Sequence, residues 1–227
     1  MKTGPDFARI AALIGDPARA NMLGALMDGG ARTATELAME AGVTVQTASA
    51  HLAKLETGGL LRLRKQGRHR YFALADEDVA ALLEKLMGVS ARLGGGRHRP
   101  GPKEPALRHA RVCYDHLAGD LGVALFEALA RRDLIVVSEE AVDLTPAGQG
   151  FFAGFGVDVD ALKKQRRPVC RSCLDWSVRR FHLAGGLGAA LLSQILERGW
   201  ARRLPGERIL RFSRAGEAAF REAFGAV

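Results

Sequence analysis

Cysteine is scarce in this sequence, with three in 227 residues. A small, odd number of cysteines argues against the disulfide framework of a secreted scaffold. The sequence also has no apolar run of the roughly 18 residues that a membrane span requires. Its N-terminus carries acidic residues and no long apolar stretch, unlike a secretory signal peptide. These absences favour a cytoplasmic protein, in which the cysteines are buried thiols, metal ligands or redox sensors.

The sequence signatures of nucleotide-dependent enzymes are absent as well. There is no G-x-G-x-x-G sequence, no P-loop and no alternation of strands and helices typical of βαβ units. Cys113, or His116 with Asp115, could imitate a nucleophile pair, but nothing in the sequence orients these groups. We therefore expect neither an enzymatic activity nor a cofactor.

Acidic residues are nearly missing from two stretches of a chain whose net charge is +8. Residues 44–74 contain six Lys or Arg and one acid, Glu56, and residues 163–180 contain seven Lys or Arg and one acid, Asp175. Such concentrated positive charge indicates a polyanionic partner. A solvated basic surface is an equally good explanation for either stretch taken alone.

Helix signals dominate residues 6–93, and the predicted element order is α-α-α-α-β-β-α. The expected capping residues are Asp6, Asp16, Thr33 with Glu36, and Asp76. Gly42 ends the third helix, and the fourth begins after a very short turn, which is typical of a helix-turn-helix. Apolar and basic residues alternate over 61–71 with a break at Gly67, which predicts a β-hairpin.

This N-terminal part resembles the ArsR/SmtB family of bacterial transcriptional repressors. The resemblance covers roughly residues 6–93 and lies in Gly15–Arg19, Glu36–Ala38, Ser49, His51, Leu52, Leu55, Gly59, Leu60, Gly67, Arg68 and Tyr71. It implies a winged helix-turn-helix that binds double-stranded promoter DNA. Metal-sensing relatives carry a cysteine motif on the third helix or Asp/His pairs on the last. Here the third helix has no cysteine, and the last has Asp76 and Asp78 without histidine, so no metal is expected at those positions.

A recognition helix needs small polar side chains at its N-terminal end, so that its backbone can approach base edges. Gln46 can pair with adenine, while Thr47 and Ser49 can reach phosphates or thymine methyls. The residues predicted to contact DNA are Thr44, Gln46, Thr47, Ser49, His51 and Lys54 of the helix, and Arg68, His69 and Arg70 of the hairpin. A local hydrogen bond would also explain His51, and a merely solvated wing would explain the hairpin arginines.

A Gly- and Pro-rich linker at 94–105 divides the sequence into domains 1–93 and 106–227. In the second, residues 116–155 and 182–224 resemble one another, and each is predicted as helix, strand, strand, helix. We interpret this as an internal duplication of a winged-helix-like unit; chance similarity of two helical hairpins is the alternative. The predicted strands are 134–137, 141–144, 201–204 and 208–212, the predicted N-caps of the last helices are Thr145 and Ser213, and the connector around Cys170 and Cys173 is predicted to be helical. The expected fold class is mainly α with short β-hairpins.

All three cysteines lie in the second domain, beside two of its histidines. The candidate sensor residues are Cys113, His116, Cys170, Cys173 and His182. On a helix, Cys170 and Cys173 would share one face, and the three thiols with His116 or His182 could bind zinc if the fold brought them together. Inert buried thiols and a redox sensor are the alternatives. An organic effector could instead bind among aromatic residues that otherwise form core: Tyr114, Phe126, Trp176, Phe181 and Trp200.

The sequence thus predicts a homodimeric, sequence-specific repressor whose second domain receives an effector that releases it from DNA. The first helix and the helix that starts near Asp76 are the expected dimer contacts. Two alternatives remain: a redox- or metal-responsive regulator that uses Cys113, Cys170 and Cys173, and a sequence-indifferent architectural DNA-binding protein.

Overall fold

The computed structural model describes residues 6–67, 69–93, 104–138, 141–204 and 207–226. The chain divides into two compact units, Met1–Leu83 (unit 1) and Glu84–Val227 (unit 2). This division falls within a helix, upstream of the expected linker at 94–105, of which residues 94–103 lie outside the described ranges. The linker and the domain bounds 1–93 and 106–227 therefore stay predictions. Within those ranges, no helix is long and apolar enough to cross a membrane.

Unit 1 follows the predicted order with two additions. Its elements are α1 (Phe7–Ile14), α2 (Pro17–Ala25), a 3-10 turn (Leu26–Asp28), β1 (Arg32–Thr33), α3 (Ala34–Ala41), α4 (Val45–Thr57), β2 (Leu61–Gln66), β3 (His69–Leu74) and α5 (Glu77–Leu93), which continues into unit 2. The strands form an antiparallel sheet of order β1-β3-β2. Sequence reasoning missed β1 and the 3-10 turn, because two or three residues are too few to show a periodicity.

Capping hydrogen bonds set the starts of most of these helices. The Asp16 side chain accepts a hydrogen bond from the Arg19 backbone N–H, and Thr33 forms the predicted capping box with Glu36. Asp76 likewise accepts a hydrogen bond from a backbone N–H of α5. Asp6 occupies the N-cap position of α1 as predicted, but its side chain makes no capping hydrogen bond.

Apolar side chains from several helices and the sheet fill the core of unit 1. The fully buried members are Met22, Leu23, Leu26, Met27, Leu37, Ala48, Leu52, Leu55 and Leu74. The eight described residues of α1 contribute no buried side chain. Of its large apolar side chains, Phe7 is exposed, whereas Ile10, Leu13 and Ile14 are half-buried.

Unit 2 alternates two-stranded antiparallel hairpins with helices. Its further elements are α6 (Pro105–His109), β4 (Arg111–Cys113), β5 (His116–Ala118), α7 (Asp120–Arg131), β6 (Ile135–Val137), β7 (Val142–Leu144), α8 (Pro146–Gly154), α9 (Val159–Lys163), β8 (Arg171–Leu174), β9 (Phe181–Ala184), α10 (Gly185–Glu197), β10 (Ala201–Arg203), β11 (Leu210–Phe212) and α11 (Arg214–Phe224). The hairpins are β4-β5, β6-β7, β8-β9 and β10-β11. Together with unit 1 this is the expected mainly α architecture with short hairpins.

The two similar segments of unit 2 contain the same elements in the same order. Each has a strand, a helix, a hairpin and a helix, whereas a helix was predicted at the start of each. The predicted caps Thr145 and Ser213 both accept a hydrogen bond from a glycine N–H three residues on. A common origin of the segments by duplication stays a prediction.

The connector around Cys173 is a strand, so its prediction as a helix is wrong. Beta8 pairs with β9 along four residues, and this partner lies beyond a turn that contains Asp175 and Ser177. The four residues of β8 are too few to distinguish a helical from an alternating pattern, which explains the error. Cys170 precedes β8 and lies buried in the hydrophobic core of unit 2.

Candidate DNA-binding surface and a cysteine–histidine cluster

The N-terminal half of α4 presents a small, polar and exposed face. Thr44 is its N-cap and accepts a hydrogen bond from the Thr47 backbone N–H, and the hydroxyls of these two residues lie 2.9 Å apart. Ser49 donates a hydrogen bond to the Val45 carbonyl, and the Gln46 side chain is exposed. Buried residues of the opposite face hold the helix to the core. Of the residues predicted to contact DNA, Thr44, Gln46, Thr47, Ser49 and Lys54 are exposed.

His51 differs from these residues, because it is half-buried and contacts α2. Its Nδ1 atom lies 3.2 Å from Nη1 of Arg19 and 4.0 Å from the Asp16 carboxylate. Arg19 also donates hydrogen bonds to the carbonyls of Ala12 and Leu13 at the end of α1. His51 therefore takes part in a contact network that joins α1, α2 and α4. The contact with Arg19 spans 32 residues of sequence and is not a local hydrogen bond, and a contact of His51 with DNA stays a prediction.

The β2-β3 hairpin projects cations into solvent. Lys65 lies directly opposite Arg70, and Gln66 opposite His69. All four are exposed, and like charges that face each other across two strands destabilise the pair unless an anion lies between them. The third predicted hairpin contact, Arg68, lies outside the described residues. The tip of the hairpin is thus suited to a phosphate backbone.

In unit 2, two hairpins bring two cysteines and two histidines together. Cys113 and His116 are direct partners in the register of β4-β5, and Cys173 and His182 are direct partners in β8-β9. One ligand atom of each of the four lies within 4.8 Å of the others. Cys170 is not part of this group, so the expected set of three thiols with one histidine is corrected to two thiols with both histidines.

The imidazoles of His116 and His182 stack inside the cluster with their ring centroids 5.0 Å apart, and each has a carboxylate behind it. The Nε2 atoms of His116 and His182 are 3.1 Å apart. Nδ1 of His116 lies 3.1 Å from the Asp115 carboxylate, and Nδ1 of His182 lies 3.8 Å from that of Asp175. Both Nε2 atoms therefore point toward the centre of the cluster, while both Nδ1 atoms point outward.

Each of these carboxylates is in turn held by an arginine. Arg167 donates to Asp115 at 2.7 Å, and Arg111 donates to Asp175 at 2.8 Å. Asp175 also accepts hydrogen bonds from the Gly119 N–H and the Ser177 hydroxyl. Burial disfavours the Asp175 carboxylate, but Arg111 and these neighbours outweigh burial and hold its pKa below the usual value. The carboxylates are thus ionised and fixed in position.

Burial and neighbouring groups also shift the titration of the cluster itself. A hydrogen bond to Cys173, together with burial, raises the pKa of the Cys113 thiol well above its usual value. Burial opposes a charge on His116, but Cys113 and Asp115 outweigh it and raise its pKa to about 9. Burial and the charge of His116 hold the pKa of His182 well below its usual value.

The aromatic residues predicted to line an effector pocket lie in different surroundings. Phe126 is buried in the core, and Phe181 is about half exposed on β9. The Arg111 guanidinium lies 5.3 Å from the ring of Trp176. Trp200 contacts the rings of Phe155 and Phe224 and lines an open groove of about 410 Å³. Tyr114 has a left-handed backbone, with φ of 59°, in the turn between β4 and β5.

Sequence reasoning paired Asp115 with His116 but missed Asp175 and Arg111 as parts of this site, although a signal was present. The pattern Arg-x-Cys-x-Asp precedes His-Leu-Ala-Gly twice, first over 111–119 and then over 171–185 with an insertion before the histidine. A comparison that starts at the two histidines leaves out the five residues before His116. When the two segments are aligned from their arginines, Arg111 and Arg171, Cys113 corresponds to Cys173, and Cys170 has no counterpart.

Comparison with known proteins gives matches to DNA-binding regulators. A family model described as "Helix-turn-helix domain" matches residues 14–64. The HTH-type transcriptional regulator YdfF of Bacillus subtilis is 39% identical over 216 residues, which cover 95% of this chain and 96% of YdfF. The HTH-type transcriptional regulator CmtR of Mycobacterium bovis is 37% identical over 82 residues, which cover 36% of this chain and 69% of CmtR.

Among solved structures, the homodimeric winged helix-turn-helix DNA-binding domain of Mb0332 from Mycobacterium bovis is similar to the N-terminal part. It is 31% identical, covers 43% of this chain and 96% of its own, and has a TM-score of 0.36. The YdfF match, in contrast, extends through both units of the present chain.

Proposed function

This chain belongs to the ArsR/SmtB-like family of winged helix-turn-helix transcriptional regulators, and from that membership we propose that it is a cytoplasmic, homodimeric repressor of specific promoters. As a DNA-binding regulator it would act without enzymatic chemistry, by occupying operator DNA. The observation that carries the proposal is that the exposed polar face of α4 lies beside the β2-β3 hairpin, in which Lys65 and Arg70 lie opposite one another. The first is suited to base edges and the second to phosphates.

In this proposal the two parts of the surface have separate tasks. Gln46 reads a base edge in the major groove, with Thr44, Thr47 and Ser49 close enough to the DNA backbone to set the register. His69, Arg70 and the neighbouring Arg68 contact phosphates along the hairpin, and Lys54 adds a further positive charge. His51 acts indirectly, since its contact with Arg19 fixes the orientation of α4.

The signal in this proposal acts on unit 2, which carries the cysteine–histidine cluster and the Trp200 groove. A ligand releases the repressor only if it binds the state that is unable to hold DNA more tightly than the state that holds it. Equal affinity for both states would leave the occupancy of the operator unchanged.

Binding to a selected operator and to a random duplex tests the division of tasks. The operator is first selected by pulldown of genomic fragments with the purified protein. We expect Gln46→Ala to weaken the free energy of binding to the operator by about 1–3 kcal/mol, because the base contact is removed. Its binding to the random duplex should not change. Arg70→Ala should weaken binding to the operator and to the random duplex by similar amounts, because a phosphate contact does not depend on sequence. It should also make binding less sensitive to salt.

Arg211→Ala is the matched control, since it removes one exposed arginine from unit 2. Its binding to both duplexes should equal that of the unmodified chain. Equal losses on both duplexes for Gln46→Ala would refute the base-reading role. A wild type that does not distinguish the operator from the random duplex would instead indicate an architectural DNA-binding protein.

A further inference from the structure

We propose that unit 2 holds one zinc ion in a closed tetrahedral site made by four side chains: Cys113, His116, Cys173 and His182. The proposal concerns binding by the chain itself, and it does not depend on whether the protein represses transcription. The ion would join the β4-β5 hairpin to the β8-β9 hairpin, which lie far apart in the sequence.

The spacing of the ligand atoms fits such an ion. Zinc binds thiolate sulfur at about 2.3 Å and imidazole nitrogen at about 2.0–2.1 Å, so that tetrahedral ligands lie roughly 3–4 Å from one another. The four ligand atoms here lie within 4.8 Å of one another, and the two Nε2 atoms are 3.1 Å apart. Small side-chain adjustments would bring all four to bonding distance, and two sulfurs with two nitrogens are a donor set typical of zinc.

The surroundings orient the histidines for metal binding. Metal-ligating histidines usually turn their second nitrogen to a carboxylate, which fixes the ring and strengthens the ligand. His116 turns Nδ1 to Asp115, and His182 turns Nδ1 toward Asp175. Nδ1 of His182 is buried and makes no hydrogen bond within the described part of the chain, so a slight shift toward Asp175 on metal binding would satisfy it.

Charge balance also favours a divalent cation at this place. Three of the four side chains are buried, and a buried net charge is costly. Two thiolates neutralise Zn²⁺, and the imidazoles bind as neutral ligands, so the occupied site carries no net charge. The adjacent carboxylates are already balanced by Arg167 and Arg111 and need no further cation.

The packing around the cluster is reciprocal. A Cβ atom added at Gly122 of α7 would lie 3.5 Å from Cβ of His182, and one added at Gly188 of α10 would lie 3.2 Å from Cβ of His116. Each glycine thus lets one helix approach the histidine of the other hairpin. With the cross-strand Cys–His pair in each hairpin, the site is assembled from two equivalent halves.

A disulfide between Cys113 and Cys173 explains less of this arrangement. It would account for the proximity of the two sulfurs. It would not explain why two imidazoles lie beside them or why a carboxylate lies behind each imidazole. A catalytic metal site is a poor fit too, because such a site keeps one position open for water or substrate, whereas four protein ligands close the coordination shell. The arrangement therefore points to a bound ion that stabilises unit 2.

Titration with Co²⁺ as a spectroscopic probe, followed by competition with zinc, tests the proposal on the full chain. The protein is kept reduced and stripped with a chelator beforehand. We expect one ion per chain, absorption bands of tetrahedral cobalt with thiolate ligands, and loss of these bands when zinc is added. Zinc should also raise the Tm, because an ion that binds only the folded chain stabilises it.

Cys113→Ser and Cys173→Ser should each weaken binding by on the order of 100-fold or more, since loss of a ligand exceeds the roughly 10–100-fold effect of losing an orienting partner. Cys170→Ser is the matched control, because Cys170 is a buried cysteine of the same unit outside the cluster. It should bind like the wild type and show the same rise in Tm.

Two results would overturn the proposal without relying on the ligand variants, which could fail to fold. One is a reduced wild type that binds no cobalt or gives only the weak bands of octahedral cobalt. The other is a folded Cys170→Ser variant that has lost the thiolate bands, which would place the thiolate ligand elsewhere. A wild type that binds the ion yet represses nothing would refute the repressor proposal and leave this one intact.

Discussion

At the scale of single residues, Arg111 is the group on which the polar interior of unit 2 depends. It is fully buried and donates hydrogen bonds to Asp175 at 2.8 Å and to the Ser177 hydroxyl at 3.0 Å. The carboxylate of Glu84, also buried, lies 3.9 Å away. Replacing Arg111 leaves the buried Asp175 carboxylate without its arginine partner, whereas Glu84 keeps Arg208 at 3.7 Å. A buried charge that has lost its partner is costlier than the loss of one hydrogen bond.

We therefore expect Arg111→Met to lower the free energy of unfolding by about 3–5 kcal/mol. Denaturant unfolding of the full chain measures the change. Arg211→Met removes an exposed arginine, and its free energy of unfolding should stay within about 0.5 kcal/mol of the wild-type value. If Arg111→Met were no more destabilising than this control, the buried ion pairs would not contribute as described.

Individual site residues differ in how far the sequence could predict them. The polar face around Gln46 follows from local helix periodicity, because the side chains that hold α4 and those that leave it exposed alternate along one segment. The cysteine–histidine cluster does not follow from a local pattern, because Cys113 and Cys173 come together only after two hairpins have formed and packed. Of the carboxylates behind the histidines, Asp115 directly precedes His116 in the sequence, whereas Asp175 comes near His182 only across the β8-β9 hairpin.

At the scale of elements, the hairpin-to-helix junctions of unit 2 depend on close backbone contact. A Cβ atom at Gly148 of α8 would lie 2.0 Å from the Leu134 carbonyl oxygen, and one at Gly216 of α11 would lie 2.1 Å from that of Trp200. Both glycines also donate the capping hydrogen bond at the start of their helix. A side chain at either position would push the helix away from the start of the hairpin that precedes it.

Gly148→Ala should therefore destabilise the chain by at least about 1–3 kcal/mol, the usual cost of overpacking, since the clash is with backbone and not with a flexible side chain. Gly150→Ala in the same helix is the control, because a Cβ atom there meets nothing within 4 Å. It should stabilise the helix by up to about 1 kcal/mol. Thermal and denaturant unfolding of both variants would reveal the opposite signs, and two changes of equal sign would contradict the predicted clash.

The elements themselves were predicted where their signals are local. Caps such as Thr33, Thr145 and Ser213, and the β2-β3 hairpin, need only a few neighbouring residues, and the structure confirms them. Beta8 was assigned to a helix because its basic sequence has no alternation and its partner lies beyond a long turn. Strand pairing of this kind is decided by tertiary contacts and not by the strand's own sequence.

At the scale of the whole molecule, α5 carries an apolar stripe that the described part of the chain leaves exposed. Leu82, Leu86, Val89 and Leu93 are exposed and follow one another at alternating spacings of four and three residues. This is the spacing by which helices pack along a common seam. The buried residues of the same helix, among them Leu83 and Glu84, face the other way. The stripe supports a second copy of this chain as its partner.

We expect Leu86→Glu combined with Val89→Glu to convert a dimer into a monomer at micromolar concentration, because two carboxylates would be buried at the seam without counter-charges. Sedimentation measures the change. Val136→Glu, which alters an exposed valine of β6, should leave the dimer intact. Because a dimer binds two half-sites at once, the monomeric variant should also lose operator affinity more than affinity for random DNA. A wild type that sediments as a monomer, both free and on the operator, would remove the basis for the dimer.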